Sequence, residues 1–277
     1  MSVTAEAYSP PCNELFIYYL EGTLQEDPSG LKHFIGNWQE DGFSFLFFTE
    51  PSLDQVQDLV RVSPSLRFID HYQMSYHDWV GDKVTPFCTD RFFISPPWDA
   101  SIPPSSKLRI TLDPGVVFGT GAHPTTRDCI EALELTYRSR PVGTGLDLGT
   151  GTGILAIAAA RLGCPLTLAV DMNRLAAKTA ERNIRLNQLQ QAVLAVQGSA
   201  DDFIHIQADL LIANIHYDVM KRLVCSDGFL NKRIFILSGL LRSEAADIEH
   251  RLMQLPVNIL NKWIRDGIWY TYWGVRK

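Results

Sequence analysis

Residues 145–163, GLDLGTGTGILAIAAARLG, decide the fold. A short apolar strand over 145–148 runs into Gly149-Thr150-Gly151-Thr152-Gly153, and an apolar helix begins at once at Ile154. The pattern continues downstream. Apolar strands at 166–170, 193–196, 210–213 and 234–237 alternate with helical stretches at 154–162, 174–187, 217–224 and 243–255. Strictly alternating β and α segments require a mostly parallel sheet covered by helices on both faces. The end differs, because 257–264 and 268–275 are both β-like and are separated by Arg265-Asp266-Gly267, a hairpin signal. The sheet is therefore expected to finish with an antiparallel strand.

Upstream the character changes. Runs at 15–20 (LFIYYL) and 42–49 (GFSFLFFT) are aromatic and β-like, with a short helix expected over 31–37 after the breaker Asp27-Pro28-Ser29-Gly30. Ser52 precedes Gln55 at capping-box spacing, and Leu53, Val56, Leu59 and Val60 follow with helical period up to Ser63-Pro64. A strand over 66–72 closes this small α+β unit, residues 1–75. Pro86, Pro96, Pro97, Pro103 and Pro104 mark a linker over 76–107, which leaves 108–277 for the second domain.

Twenty-five basic and 31 acidic side chains give a net charge of −6, with 46% apolar and 20% charged residues. That composition supports a folded core and disfavours a disordered chain or a non-specific binder of nucleic acid or anionic membrane. The five cysteines, Cys12, Cys88, Cys129, Cys164 and Cys225, are scattered and form no C-x-x-C, so free thiols and no metal site are expected. The opening MSVTAEAYSPPCN has neither a basic nor an apolar leader region, and the longest apolar run, 154–160, is far too short to span a bilayer. A cytoplasmic protein is expected, with no membrane or direct nucleic-acid partner and a monomer favoured.

The glycines at 149, 151 and 153 let backbone pass close beneath a ligand at the carboxyl ends of the strands. No Lys-Ser/Thr follows, so the loop is not a P-loop, and the spacing lacks the third glycine of the dinucleotide fingerprint. Asp171, at the end of the next strand, can accept both hydroxyl protons of a ribose. Adenosine without phosphates suits S-adenosyl-L-methionine. Asp147 before the turn, and Asp201-Asp202 after the third strand, add acidic groups to the same edge.

Residues 112–126, LDPGVVFGTGAHPTT, combine three glycines and two prolines just before a helix expected to be capped by Thr125 or Thr126. Two readings stand at this point: a flexible interdomain loop, or a lid that packs on a bound ligand. His123 alone reads as readily as a hydrogen-bonded structural histidine.

The strings DPGVVFGTGAHPTT and DLGTGTGILAIAAARLG, the tripeptide Asn214-Ile215-His216, and LSGLL at 237–241 together resemble the PrmA family of ribosomal protein L-eleven methyltransferases. The likeness reaches upstream past Trp98 and Trp79 to about residue 74 and is weak before it. It implies a seven-stranded, Rossmann-like class I methyltransferase domain, a small N-terminal α+β substrate-recognition domain, and S-adenosyl-L-methionine as cofactor. By the same resemblance Thr126, Gly149, Asp171 and Asn214 occupy cofactor-binding positions, and Phe118, Thr120 and His123 close over the methionine end. The chain departs from the family pattern at His216, where the family has Leu, at Thr150, where it has Cys, and in the N-terminal unit.

Methyl transfer to an amine is an in-line displacement that needs a neutral nitrogen and correct approach. Asn214, at the end of the fourth strand, is the candidate catalytic residue: its amide oxygen can accept an amine N–H without fixing the amine as a cation. His216 and Tyr217 are candidates for lining the amine's path. The implied substrate is a protein, foremost a free ribosomal protein. Alternatives are another protein lysine, as in electron-transfer flavoprotein β, a small molecule, or a cofactor-binding module without activity.

Overall fold

The computed structural model describes residues 10, 12–24, 27–28, 30–80 and 85–277, and the chain divides into two compact units, Met1–Lys83 with Asn173–Leu175, and Val84–Met172 with Ala176–Lys277. Residues 1–9 and 11 of the opening stretch expected to be no leader, and Ser29 of the expected breaker, lie outside the described residues.

The N-terminal unit contains β1 (Glu14–Glu21), β2 (Phe34–Glu40), β3 (Phe43–Phe48), α1 (Leu53–Val62), β4 (Arg67–Ser75) and α2 (Tyr76–Val80). Its sheet is antiparallel, in the order β2-β3-β1-β4. Tyr18, Leu20, Leu46 and Phe48 alternate onto the face that packs against Val56 of α1. Of the helix expected over 31–37, residues 34–37 belong instead to the strand β2 and 31–33 to the turn before it. The cause is the two-residue turn Asp41-Gly42, where both φ are positive (50° and 84°) and Glu40 pairs with Phe43. This is the conformation of the tightest hairpins, and it fixes the preceding segment as a strand whatever its helical look. The expected capping box is also absent: the Ser52 hydroxyl donates to the Glu50 carbonyl at 3.0 Å, while Gln55 Oε1 accepts from the Lys32 N–H at 2.9 Å.

In the second unit β5 (Phe87–Cys88), β6 (Phe92–Ser95) and β7 (Leu108–Thr111) form a three-stranded sheet. The stretch 76–107, expected as linker, thus holds α2, β5 and β6. Strands of two and four residues are too short to show a period, and β6 is buried on both faces. Then follow α3 (Pro124–Ser139), β8 (Thr144–Leu148), α4 (Ile154–Arg161), β9 (Leu166–Asp171), α5 (Arg174–Leu186), β10 (Val193–Gln197), α6 (Ala200–Phe203), β11 (Ala208–Asn214), α7 (Tyr217–Cys225), β12 (Lys232–Leu241), α8 (Arg242–Met253), β13 (Val257–Arg265) and β14 (Trp269–Arg276).

The seven-stranded sheet has the order β10-β9-β8-β11-β12-β14-β13, in which β8 to β12 are parallel and β14 runs antiparallel to both its neighbours. Leu210 and Ile212 of β11 face Ile130, Leu133 and Ile157 of α3 and α4; Leu211 and Ala213 face Met220, Leu223, Ile248 and Leu252 of α7 and α8. Burial on both sides is why these strands read as unbroken apolar runs.

The chain entering the 112–126 segment is held by two asparagines one helical turn apart. Asn187 Oδ1 accepts from the Thr111 N–H (3.0 Å) and its amide donates to the Thr111 carbonyl (2.6 Å). Asn183, fully buried, does the same with the N–H and carbonyl of Asp113 (2.8 and 2.9 Å) and also donates to the Thr152 carbonyl at 2.8 Å. A helix here offers its neighbour the pairing that a strand edge would.

All five cysteines are free, Cys129 and Cys164 in the core and Cys88 and Cys225 exposed. Among the described residues no helix is long and apolar enough to cross a membrane, and no three His, Cys, Asp or Glu side chains are grouped to hold a metal ion.

Candidate active site

The carboxyl ends of β8, β9 and β11 open onto one crevice, with β8 in the middle. Leaving β8, Gly149, Gly151 and Gly153 all adopt left-handed φ (74°, 55° and 84°). At Gly149 a side chain is impossible, since a Cβ would lie 2.0 Å from Ile215 Cγ2. Gly153 caps α4 without a side chain. The Gly151 N–H donates to Asp171 Oδ2 at 2.9 Å, so the carboxylate at the end of β9 is tied to the centre of the glycine turn.

Asp147 lies directly beneath. It is 1% exposed; Oδ2 accepts from the Thr150 hydroxyl at 2.6 Å, and Oδ1 has no hydrogen-bond partner among the described residues. Burial pushes its carboxyl up to about 7, against the opposing pull of the Thr150 hydroxyl and the Ala156 backbone N–H. A buried acceptor without a donor is costly, and it marks a site shaped for a group that brings one.

On the other side, β11 ends at Asn214. Its Nδ2 lies 3.5 Å from the Thr126 hydroxyl, in the first turn of α3, and a Cβ on Gly239 would come within 3.0 Å of its Oδ1. Thr126 is buried. The helix begins differently from expectation: the cap residue of α3 is His123, not Thr125 or Thr126, with Pro124 at the first helical position. His123 Nδ1 lies 2.7 Å from the Thr125 hydroxyl.

The 112–126 segment lies against the glycine turn. The Thr152 N–H and hydroxyl donate to the carbonyls of Phe118 (3.1 Å) and Gly119 (2.6 Å). Phe118 stays 51% exposed beside the crevice, edge-on to His123 (5.5 Å between centroids), and His123 is edge-on to Trp269 (4.8 Å). Thr120 accepts the Ala122 N–H at 3.4 Å and makes a local turn.

Trp269 escaped the sequence reading. Its only signal is an aromatic residue just after the Arg265-Asp266-Gly267 turn, at the start of the strand that enters the sheet between β12 and β13. The hairpin that carries it is anchored to α3: Arg265 Nε donates to Asp128 Oδ1 at 2.7 Å, and Asp128 is fully buried. Asp201 and Asp202 do not join the site as expected. Asp201 is held by Arg222 at 2.9 Å, which keeps its carboxyl below the usual range, and Asp202 is exposed. The Tyr217 hydroxyl donates to Asp247 on α8 at 2.8 Å, and His216 is exposed.

The strand order, the antiparallel penultimate position and the glycine turn at the end of the central strand define a Rossmann-like methyltransferase domain. Residues 59–277 match the family profile described as "Ribosomal protein L11 methyltransferase (PrmA)", and the chain belongs to that family. It is 32% identical over 274 residues to the ribosomal protein L11 methyltransferase of Desulfitobacterium hafniense, across 87% of this chain and 85% of that one. The Anoxybacillus flavithermus protein of the same name is 39% identical over 175 residues, across 62% of this chain and 55% of that relative. Among solved structures, the ribosomal protein L11 methylase of Lactobacillus delbrueckii subsp. bulgaricus superposes with a TM-score of 0.59 at 30% identity, covering 68% of this chain and 96% of that one.

Proposed function

We propose that this protein transfers methyl groups from S-adenosyl-L-methionine to lysine side-chain or N-terminal amines of a ribosomal protein. The observation that carries the reading is the placement of two different polar groups on the strands flanking β8: the carboxylate Asp171 and the neutral amide Asn214, with the glycine turn between them. Asp171 suits the ribose hydroxyls. The orphaned Oδ1 of Asp147 fits a ligand carrying a hydrogen-bond donor or a positive charge, as the methionine part of the cofactor does. When bound, the cofactor supplies an electrophilic methyl group on a sulfonium.

The chain's own residues do the rest. An amine with a pKa of about 10.4 is neutral at pH 7 only at a cost of roughly 4.6 kcal/mol, so the site must disfavour the ammonium. Phe118, His123 and Trp269 form an apolar wall that strips water from it. Asn214 then holds the amine by accepting one N–H, leaving the lone pair directed at the methyl. Its own NH₂ is oriented by the Thr126 hydroxyl, and Gly239 leaves the amide oxygen room. No acid or base is required once the nitrogen is neutral; orientation carries the rate.

The reading is tested with labelled S-adenosylmethionine and a lysate of cells lacking the gene. Label is expected in a small ribosomal-protein band with the native enzyme and to be lost with Asn214→Ala. Label confined to small molecules would overturn the protein-substrate reading.

A further inference from the structure

Two features constrain Asn214, and they sit on different elements: the Thr126 hydroxyl on α3, and the room left by Gly239 on β12. Between Leu237 and Leu240 the register of β12 against β14 shifts, so that Ser238 and Gly239 together stand opposite the single residue Thr271. This is a β-bulge, which bends a strand and re-aims what it carries. Gly239 takes a left-handed φ of 87° within it. Ser238 is also the residue paired with Asn214 in the β11–β12 register, and its carbonyl accepts the Ile215 N–H at 3.3 Å. The shape of the bulge therefore sets where β11 ends.

A bulge disrupts the ladder locally, so side chains must hold it. Ser238, Thr271 and Asp128, all fully buried, do so. The Ser238 and Thr271 hydroxyls lie 2.5 Å apart across the bulge. The Thr271 hydroxyl also lies 3.5 Å from Asp128 Oδ2, a long contact that still sets a direction: an ionised carboxylate only accepts, so Thr271 donates to it and Ser238 donates to Thr271. Burial moves the Asp128 carboxyl upward, and the hydrogen bond and charge of Arg265 oppose that rise, its guanidinium reaching Oδ1 at 2.6 and 2.7 Å. Asp128 stands on α3, two residues after Thr126. Both constraints on Asn214 thus meet at one carboxylate, since α3 carries Thr126 and the hydroxyl chain holds the bulge. We infer that Thr271 and Ser238, anchored by the Asp128–Arg265 pair, are positioning residues for Asn214: they lock the bulge that fixes where its amide oxygen meets the acceptor amine. Being buried, they touch neither cofactor nor amine and act only through Asn214. The inference rests on the proposed role of Asn214, whereas the state of the bulge can be read without it.

The test compares the full-length native protein with Thr271→Val, Thr271→Ser and Ser238→Ala. Valine keeps the shape of threonine and drops its hydroxyl; serine keeps the hydroxyl. Rates are measured with labelled S-adenosylmethionine and a ribosomal-protein extract of cells lacking the gene. Thr271→Val is expected to lower kcat about tenfold, as misalignment alone can, with KM for cofactor and for extract changed less than about twofold. Thr271→Ser is expected to return kcat to within about twofold of native. Ser238→Ala, the milder change should the valine variant not fold, is expected to lower kcat at least about threefold. Native-state exchange supplies a second readout. The Ile215 amide is expected to exchange about tenfold faster in Thr271→Val and Ser238→Ala, while that of Ile212, further down the same strand, changes less than about twofold. Native kcat in Thr271→Val and Ser238→Ala overturns the inference, even where melting temperatures fall. So does a serine variant as slow as the valine one, and so does native exchange at Ile215 in both variants. The two readings fail separately. Full turnover in Asn214→Ala, or no label with the native protein, defeats the proposed function or the role of Asn214 in it, and exchange at Ile215 still decides whether the hydroxyls hold the bulge. A slow Asn214→Ala beside a fully active Thr271→Val defeats the positioning reading alone.

Discussion

Asp147 and Asp209 sit at opposite ends of the same parallel sheet and are used in opposite ways. At the amino end Asp209 is satisfied on both oxygens: Oδ2 accepts the N–H groups of Gly143 (2.7 Å) and Thr144 (3.1 Å), and Oδ1 pairs with Arg233 at 2.8 Å. At the carboxyl end Asp147 is deeper, 1% exposed, yet one of its oxygens has no partner among the described residues. The same side chain is a finished joint at one edge and an unfinished one at the other. Between these two aspartates the difference is unpaired hydrogen-bonding capacity, not polarity.

The largest effects on that contrast lie at the carboxyl end. Asn214→Ala is expected to lower turnover about 100-fold or more, in the range for removing one preorganised polar group, while isothermal titration shows cofactor affinity changed less than about threefold. Undiminished turnover would remove Asn214 from the chemistry. Asp171→Ala is expected to weaken cofactor binding by about one to two orders of magnitude, and unchanged affinity would exclude the ribose role.

The amino end should answer differently. Asp209→Ala leaves two N–H groups unpartnered and takes the carboxylate from Arg233, and is expected to cost about 2 kcal/mol in urea unfolding, with cofactor affinity untouched. A matching loss of affinity would mean that the two edges are coupled. The last test is a slope. The Asp147 carboxyl titrates at about 7 in the fold because of burial, and near 3.9 when unfolded, so between these values the folded chain binds more protons. Stability is expected to fall as pH rises from about 4 to about 7 and then level off, and Asp147→Asn should flatten that part of a melting-temperature profile.

Most of the C-terminal domain was legible because its signals are local. The order of strand, glycine turn and helix over 145–163, and the turn before Trp269, needed no distant partner to be read. The parts that were misread depend on distance or brevity. Ser52 and Gln55 have capping-box spacing, but a carbonyl two residues back and the backbone of Lys32 won them. Segment 31–37 has helical character, but the tight turn at Asp41-Gly42 makes 34–40 a strand. Asn183 and Asn187 clamp residues about 70 positions away in the chain, and no window of sequence shows that. At the site, Asp171 and the glycines were found through position at strand ends, whereas Trp269 joins only because β14 is inserted inside β13.

That insertion has a consequence in time. Strand β13 touches the sheet only through β14, so it cannot add to the edge by itself. Closing the local ribbon about Asp266 and Gly267 is the faster event, so the expected order is ribbon first and attachment along β12 second. Trp269 and Arg265 travel with that ribbon, so the ring contacts of Phe118, His123 and Trp269 are completed only by its arrival. In pulse-labelled exchange during refolding, the amides shared by β12 and β14 should gain protection after those shared by β13 and β14. A chain caught between these stages would hold its glycine turn but lack one wall of the crevice.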